Sequence, residues 1–243
     1  SPWRRTAKRI PSSRHSMGGL SARRPALSMR WGRGRVRAMF AVLSRAARLQ
    51  ALVIAGVAAA SLVAQWLYLM ELRGTGPLET LIDMTRFFTI LTTVLVVVAF
   101  LTVALSKLRG LGAVTLAALT LSMVMTGAVY HTLLAEFWNP TGIGIAADWG
   151  LHTIVPLAVF LWWLVQAPKT ALVWADLPSF ALWPAVYMAY ALGLATIDGV
   201  YPYPFMDPGE TGVWQVAATL GMLGLLVLLG GVVMIGIGRF ADR

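Results

Sequence analysis

Thr85, Arg86, Thr89, Thr92 and Thr93 recur at three- and four-residue spacing just before the chain turns to plain Val, Ala, Leu and Phe. In a helix that spacing groups them on neighbouring positions of one face. A threonine hydroxyl becomes a useful nucleophile only when a base takes its proton. Two histidines, His131 and His152, could do so, because imidazole titrates near neutral pH. Tyr130 precedes the first, and Asp148 stands one helical turn before the second on the same face. For Thr85, Thr92 and Thr93 the simpler expectation is a hydroxyl bonded to a carbonyl one turn back or to a neighbouring helix.

Six uncharged stretches would carry these residues: 49–70, 87–106, 110–135, 149–168, 177–197 and 211–238. Each meets the ~20 residues that a helix needs to cross a ~30 Å hydrocarbon core. The 243 residues are 58% hydrophobic and only 12% charged, with a mean hydropathy of +0.73, against roughly 25% charged in a soluble domain. The expected architecture is therefore an all-α, polytopic six-helix transmembrane bundle over 49–238. Trp66, Trp138, Trp149, Trp162, Trp163, Trp174, Trp183 and Trp214 sit near span ends and read as interfacial anchors.

The net charge of +10 is a property of one segment. Residues 1–50 hold 13 Arg and Lys and no acid, so residues 51–243 carry 7 basic and 10 acidic side chains. Residues 1–48 are expected to be a disordered basic tail, too polar to bury a core, and not a nucleic-acid surface. The chain starts at Ser, and Met39 would give a short basic start, so part of this tail is expected to be a mis-assigned start. The first apolar run, at 22 residues with further spans behind it, reads as an anchor and not as a cleaved signal. Lys107, Arg109, Lys169, Arg239 and Arg243 fall on the tail's side, which predicts cytoplasmic termini and a multi-pass protein of the cell (inner or plasma) membrane. With no cysteine, thiolate and iron–sulfur chemistry drop out. No metal and no cofactor is expected.

This topology brings three helices' polar groups to one level near the outer face. The threonines lie on the outer half of the second span, and Ser122, Thr126, Tyr130 and His131 climb the third, with His131 at about the depth of Thr89. His152 falls in the first turn of the fourth span, where unpaired N–H groups would disfavour an imidazolium and keep the ring a usable base. Pro156 cannot bond to the His152 carbonyl and should kink the helix there. A loop carboxylate such as Asp148 could orient the ring or simply be solvated. The segment 198–207, with Tyr201, Pro202, Tyr203, Pro204 and Phe205, reads equally as a stiff cap over this pocket or as an interfacial ornament.

Three stretches, Phe-Phe-Thr-Ile-Leu-Thr-Thr at 87–93, Leu-His-Thr-Ile-Val-Pro at 151–156 and Tyr-Pro-Tyr-Pro-Phe-Met-Asp at 201–207, resemble the Pr6Pr family of bacterial membrane proteins. That family is similar to the eukaryotic androgen-induced-gene and androgen-dependent TFPI-regulating proteins, integral-membrane hydrolases of lipid esters. The resemblance covers 49–238. It implies a Thr nucleophile at Thr89 and a His base at His152, with Thr92 and Thr93 where relatives often carry Asn. Membrane lipids and a lipid ester are the implied partners, and the oligomeric state stays open. Oxyanion donors would come from the N–H groups around Gly150 and Leu151, or from Tyr130, with Asp148 and Asp198 as possible assistants.

Two other readings use the same residues. A non-catalytic transporter, ligand-binding protein or scaffold would line a cavity with the threonines and histidines. A permeation path, however, needs polar residues to continue below Thr93, and the second span does not supply them. A haem protein would use His131 and His152 as axial ligands on adjacent spans.

Overall fold

The computed structural model describes residues 43–105, 111–169 and 172–240. Residues 1–42 of the tail, the Lys107 and Arg109 segment and Arg243 lie outside the described residues. Six helices are long and apolar enough to cross a membrane: α1 (Arg45–Arg73), α3 (Phe88–Leu105), α4 (Ala113–Phe137), α5 (Ile143–Gln166), α6 (Trp174–Asp198) and α7 (Val213–Phe240). A short α2 (Pro77–Met84) fills the first loop. The chain is thus an all-α, multi-pass integral membrane protein. In hydrocarbon every backbone polar group needs an internal partner, and an apolar run supplies one only as helix.

Several element ends differ from expectation. Residues 45–48, assigned to the tail, form the first turn of α1, because Ser44 accepts the Ala47 N–H at 3.0 Å and caps it. Arg48 then donates to the Ala104 carbonyl at 2.9 Å, closing the end of α3. Thr85 and Arg86 do not belong to the second span; they form the turn between α2 and α3. The fourth span starts six residues early, at Ile143, after Gly142 turns the chain with φ 53°. Asp148 is therefore helical, not in a loop, and His152 lies in the third turn.

α1 packs extensively against both α3 and α5. A stripe of Ala47, Ala51, Ala55 and Ala58 on α1 is almost fully buried, and Val96, Phe100 and Val103 of α3 join the same core. α4 is central, with 56% of its apolar window buried, while α6 and α7 at 22% face lipid. Trp162 and Trp163 correct another expectation. They are 4% and 1% exposed, Trp162 crosses Phe100 edge-on at 5.0 Å and donates to the Ala47 carbonyl at 2.9 Å, so both are core and not anchors. Trp149, Trp174 and Trp214 remain exposed. Lys169 donates to the Leu164 carbonyl at 2.6 Å at the end of α5, and burial pulls its ammonium below the usual lysine range.

Candidate functional site

Two short segments interrupt the helices where the histidines sit. Tyr130–Leu134 in α4 and Gly150–Ile154 in α5 are π-helical, with the Ala135 N–H reaching the Tyr130 carbonyl and the Val155 N–H the Gly150 carbonyl, five residues back. Such bulges are rare and concentrate at functional sites. In α5 the cause is partly Pro156, which has no N–H for the His152 carbonyl. Gly127 of α4 approaches that carbonyl so closely that a Cβ there would stand 3.0 Å from it.

The extra residue aims His152 at a polar group. Its Nδ1 is 2.9 Å from Asp148 Oδ1, both side chains being 14% exposed. The Tyr130 ring stacks on the imidazole with centroids 3.7 Å apart and planes 8° from parallel, and its hydroxyl reaches Asp148. His152 is thus held in one plane. Asp148 favours the tautomer with the proton on Nδ1 and the lone pair on Nε2, which has no hydrogen-bond partner among the described residues. Nearby, His131 Nε2 pairs with Thr153 Oγ1 at 3.0 Å, so the ring nitrogen an axial ligand would use is already engaged. Among the described residues no three metal-ligating side chains converge.

Thr89 lies elsewhere on the same level. It lines a cavity of about 300 Å³ between α3, α4, α6 and α7, walled by apolar side chains including Phe88, Met125, Val129, Met188 and Val227. That volume is at the lower end of small-ligand sites. Tyr203, Phe205 and Met206 close one side, Met206 being fully buried, so the aromatic segment is a cap and not an ornament. Tyr203 Oη accepts the Phe88 N–H at 3.0 Å and lies against the Thr89 hydroxyl and amide, while Tyr187 donates to the Arg86 carbonyl at 2.7 Å. The tyrosines thereby satisfy the start of α3. Burial raises the Tyr203 phenol, which keeps its proton available to donate.

The cap is pinned by Arg86, whose Nη1 donates to Asp198 Oδ1 at 3.3 Å and whose Nη2 pairs with Oδ2. The carboxylate raises the guanidinium still further above its ordinary value. Asp198→Asn is expected to leave the melting temperature nearly unchanged, since exposed ion pairs contribute little. It should speed proteolytic cleavage within 199–212; unchanged cleavage would show that the pair does not hold the cap.

The remaining threonines follow three patterns. Thr85 bonds to the Ile82 carbonyl at 2.7 Å, as expected. Thr92 accepts from Trp183 Nε1 at 2.9 Å, a helix-to-helix link between α3 and α6. Thr93, fully buried, has no partner for its hydroxyl among the described residues, a loss of about 1–3 kcal/mol.

Thr89 and His152 stand on touching helices, with Ile90 and Leu151 in one apolar cluster. No hydrogen bond joins the two side chains, and His152 does not line the cavity. The early start of α5 removes the free N–H groups expected beside His152: the Gly150 N–H is bonded to Ala146, and Tyr130 serves Asp148. The donor beside Thr89 is instead the Tyr203 hydroxyl, since the Phe88 N–H is spent on Tyr203 Oη. The Tyr201–Asp207 composition had pointed to Tyr203. The cavity wall on α6 and α7 had no signal, because those helices are apolar all round. The chain matches no known protein family, and no curated protein or solved structure is significantly similar to it.

Proposed function

We propose that this protein is a membrane-embedded hydrolase of lipid esters, with Thr89 as nucleophile and His152, oriented by Asp148, as base. One observation carries the reading: Thr89 lines an apolar cavity while a carboxylate-oriented imidazole, whose Nε2 has no hydrogen-bond partner among the described residues, stands on the touching helix. Thr89 Oγ1 gives its proton to His152 Nε2 and attacks the ester carbonyl. The intermediate collapses, and the departing alcohol takes that proton. Water then attacks the acyl-threonine, passes its proton to His152, and the acid leaves as Thr89 regains its hydrogen. The Tyr203 hydroxyl is the candidate donor for the oxyanion. The proton transfer requires the Thr89–His152 gap to close in the substrate complex, where catalytic hydrogen bonds tighten. The charge pattern supports an outer-leaflet site in a cell membrane, with both termini cytoplasmic.

Asp148→Asn should lower ester turnover by about 10²–10⁴-fold, because the amide stabilises the wrong tautomer. Turnover of defined esters by protein in vesicles, with mass-spectrometric capture of an acyl group on Thr89, tests this. Native-like rates in Asp148→Asn would remove the oriented base. A second reading, binding of an apolar ligand without turnover, is favoured by the absence of a Thr89–His152 hydrogen bond. It predicts saturable ligand binding and no acyl-threonine.

A further inference from the structure

The cavity has a depth profile as well as a volume. Of its four hydroxyl-bearing residues, Thr89, Tyr187 and Tyr203 gather where α3 begins, and Thr126, deeper on α4, spends its hydroxyl on the Ser122 carbonyl, while Leu220, Leu223, Gly224 and Val227 continue along α7 away from that end. Gly224 is eleven residues beyond Val213, about 16 Å at 1.5 Å per residue and so roughly halfway through a ~30 Å core. A pocket that is polar at the interface and apolar to the midplane matches one leaflet's acyl chain with its ester at the top.

The pocket also opens sideways. Ala185 of α6 and Gly224 of α7 both line it and are both exposed. A Cβ added at Gly224 would meet no atom within 4 Å. An opening at this depth between two lipid-facing helices leads to hydrocarbon and not to water.

We infer that the cavity is a slot for one acyl chain of a membrane lipid ester, entered laterally between α6 and α7 past Ala185 and Gly224, whose small size admits the chain. The fate of the ester rests on the hydrolase reading; the seating of the chain does not.

The test places the whole protein in phosphatidylcholine vesicles whose lipid carries a diazirine midway along one acyl chain. After irradiation, adducts are mapped by mass spectrometry. Adducts are expected on Met125 and on Val227, which at 5% exposure is out of reach of bulk lipid. Gly224→Phe and Ala185→Phe, which fill the mouth from opposite walls, should each lower those adducts about tenfold or more. A small soluble fluorophosphonate applied to the native protein reports the Thr89 nucleophile separately. Adducts confined to outer faces such as Leu101, Leu161 and Val233 would overturn the slot, and the native map decides this even if a Phe variant fails to fold. Undiminished adducts in both folded Phe variants would overturn the lateral mouth. A diazirine fatty acid labelling the cavity where the phospholipid does not would overturn the lipid-ester source. Cavity adducts from the phospholipid without fluorophosphonate labelling would support the slot while removing the hydrolase reading.

Discussion

Thr89→Ala is expected to lower hydrolysis of a long-chain lipid ester by about 10³-fold or more, with KM little changed. The hydroxyl is one small group on a cavity wall made mostly of apolar side chains, so removing it deletes the nucleophile and leaves the seat of the chain intact. His152→Ala should fall as far, and the double variant should fall no further, because groups that act as one unit give non-additive losses. Rates measured on vesicle-bound protein, with folding checked by size exclusion and helical circular dichroism, decide this. Additive losses in the double variant would mean that the two residues do not share a step.

The second large effect is structural and falls on the same histidine. Gly150 begins the π-helical segment of α5, and a Cβ there would run into Ser61 Oγ and come within 2.8 Å of Ser61 Cβ on α1. Ser61 cannot swing away freely, since its hydroxyl donates to the Val57 carbonyl at 2.8 Å. Gly150→Ala should therefore destabilise the fold by about 1–3 kcal/mol, as overpacking does, and shift His152 two residues on. Moving the methylene across the contact, with Ser61→Gly added to Gly150→Ala, should restore much of the loss. Thermal melts of the four proteins form a double-mutant cycle. Equal stability of native and Gly150→Ala protein would show that α1 and α5 are not in close contact here.

The six spans were legible because hydrocarbon leaves an apolar chain little choice but helix, and hydropathy measures that directly. Element ends were less legible where packing outweighs local preference. Residues 142–148, Gly-Ile-Gly-Ile-Ala-Ala-Asp, read as a loop, yet Gly144 lies so close to the Tyr68 ring that a Cβ would stand 2.8 Å from it, and Ala147 is fully buried. The glycine that weakens a helix in isolation is what lets this one lie against α1. Trp162 and Trp163 were ambiguous for a similar reason, since an indole near a span end suits either the interface or a core facing Phe100.

Within the candidate site, the spacing of Asp148 and His152 gave the pair, and Thr89 stood out by depth. The π-helical turns had no such signature, because a five-residue hydrogen bond depends on what α5 meets in α1 and α4. Arg86 with Asp198, and Tyr203 with the start of α3, are contacts between residues more than a hundred positions apart. Only the folded chain brings them together.

The most direct test of the Thr89 hydrolase is a fluorophosphonate activity probe applied to membranes containing the native chain and Thr89→Ala, both confirmed as folded. The account predicts covalent labelling of the native chain at Thr89, confirmed on the tryptic peptide, and none in the variant. A folded native chain that takes no label, or a Thr89→Ala chain labelled as strongly as the native one, would contradict it.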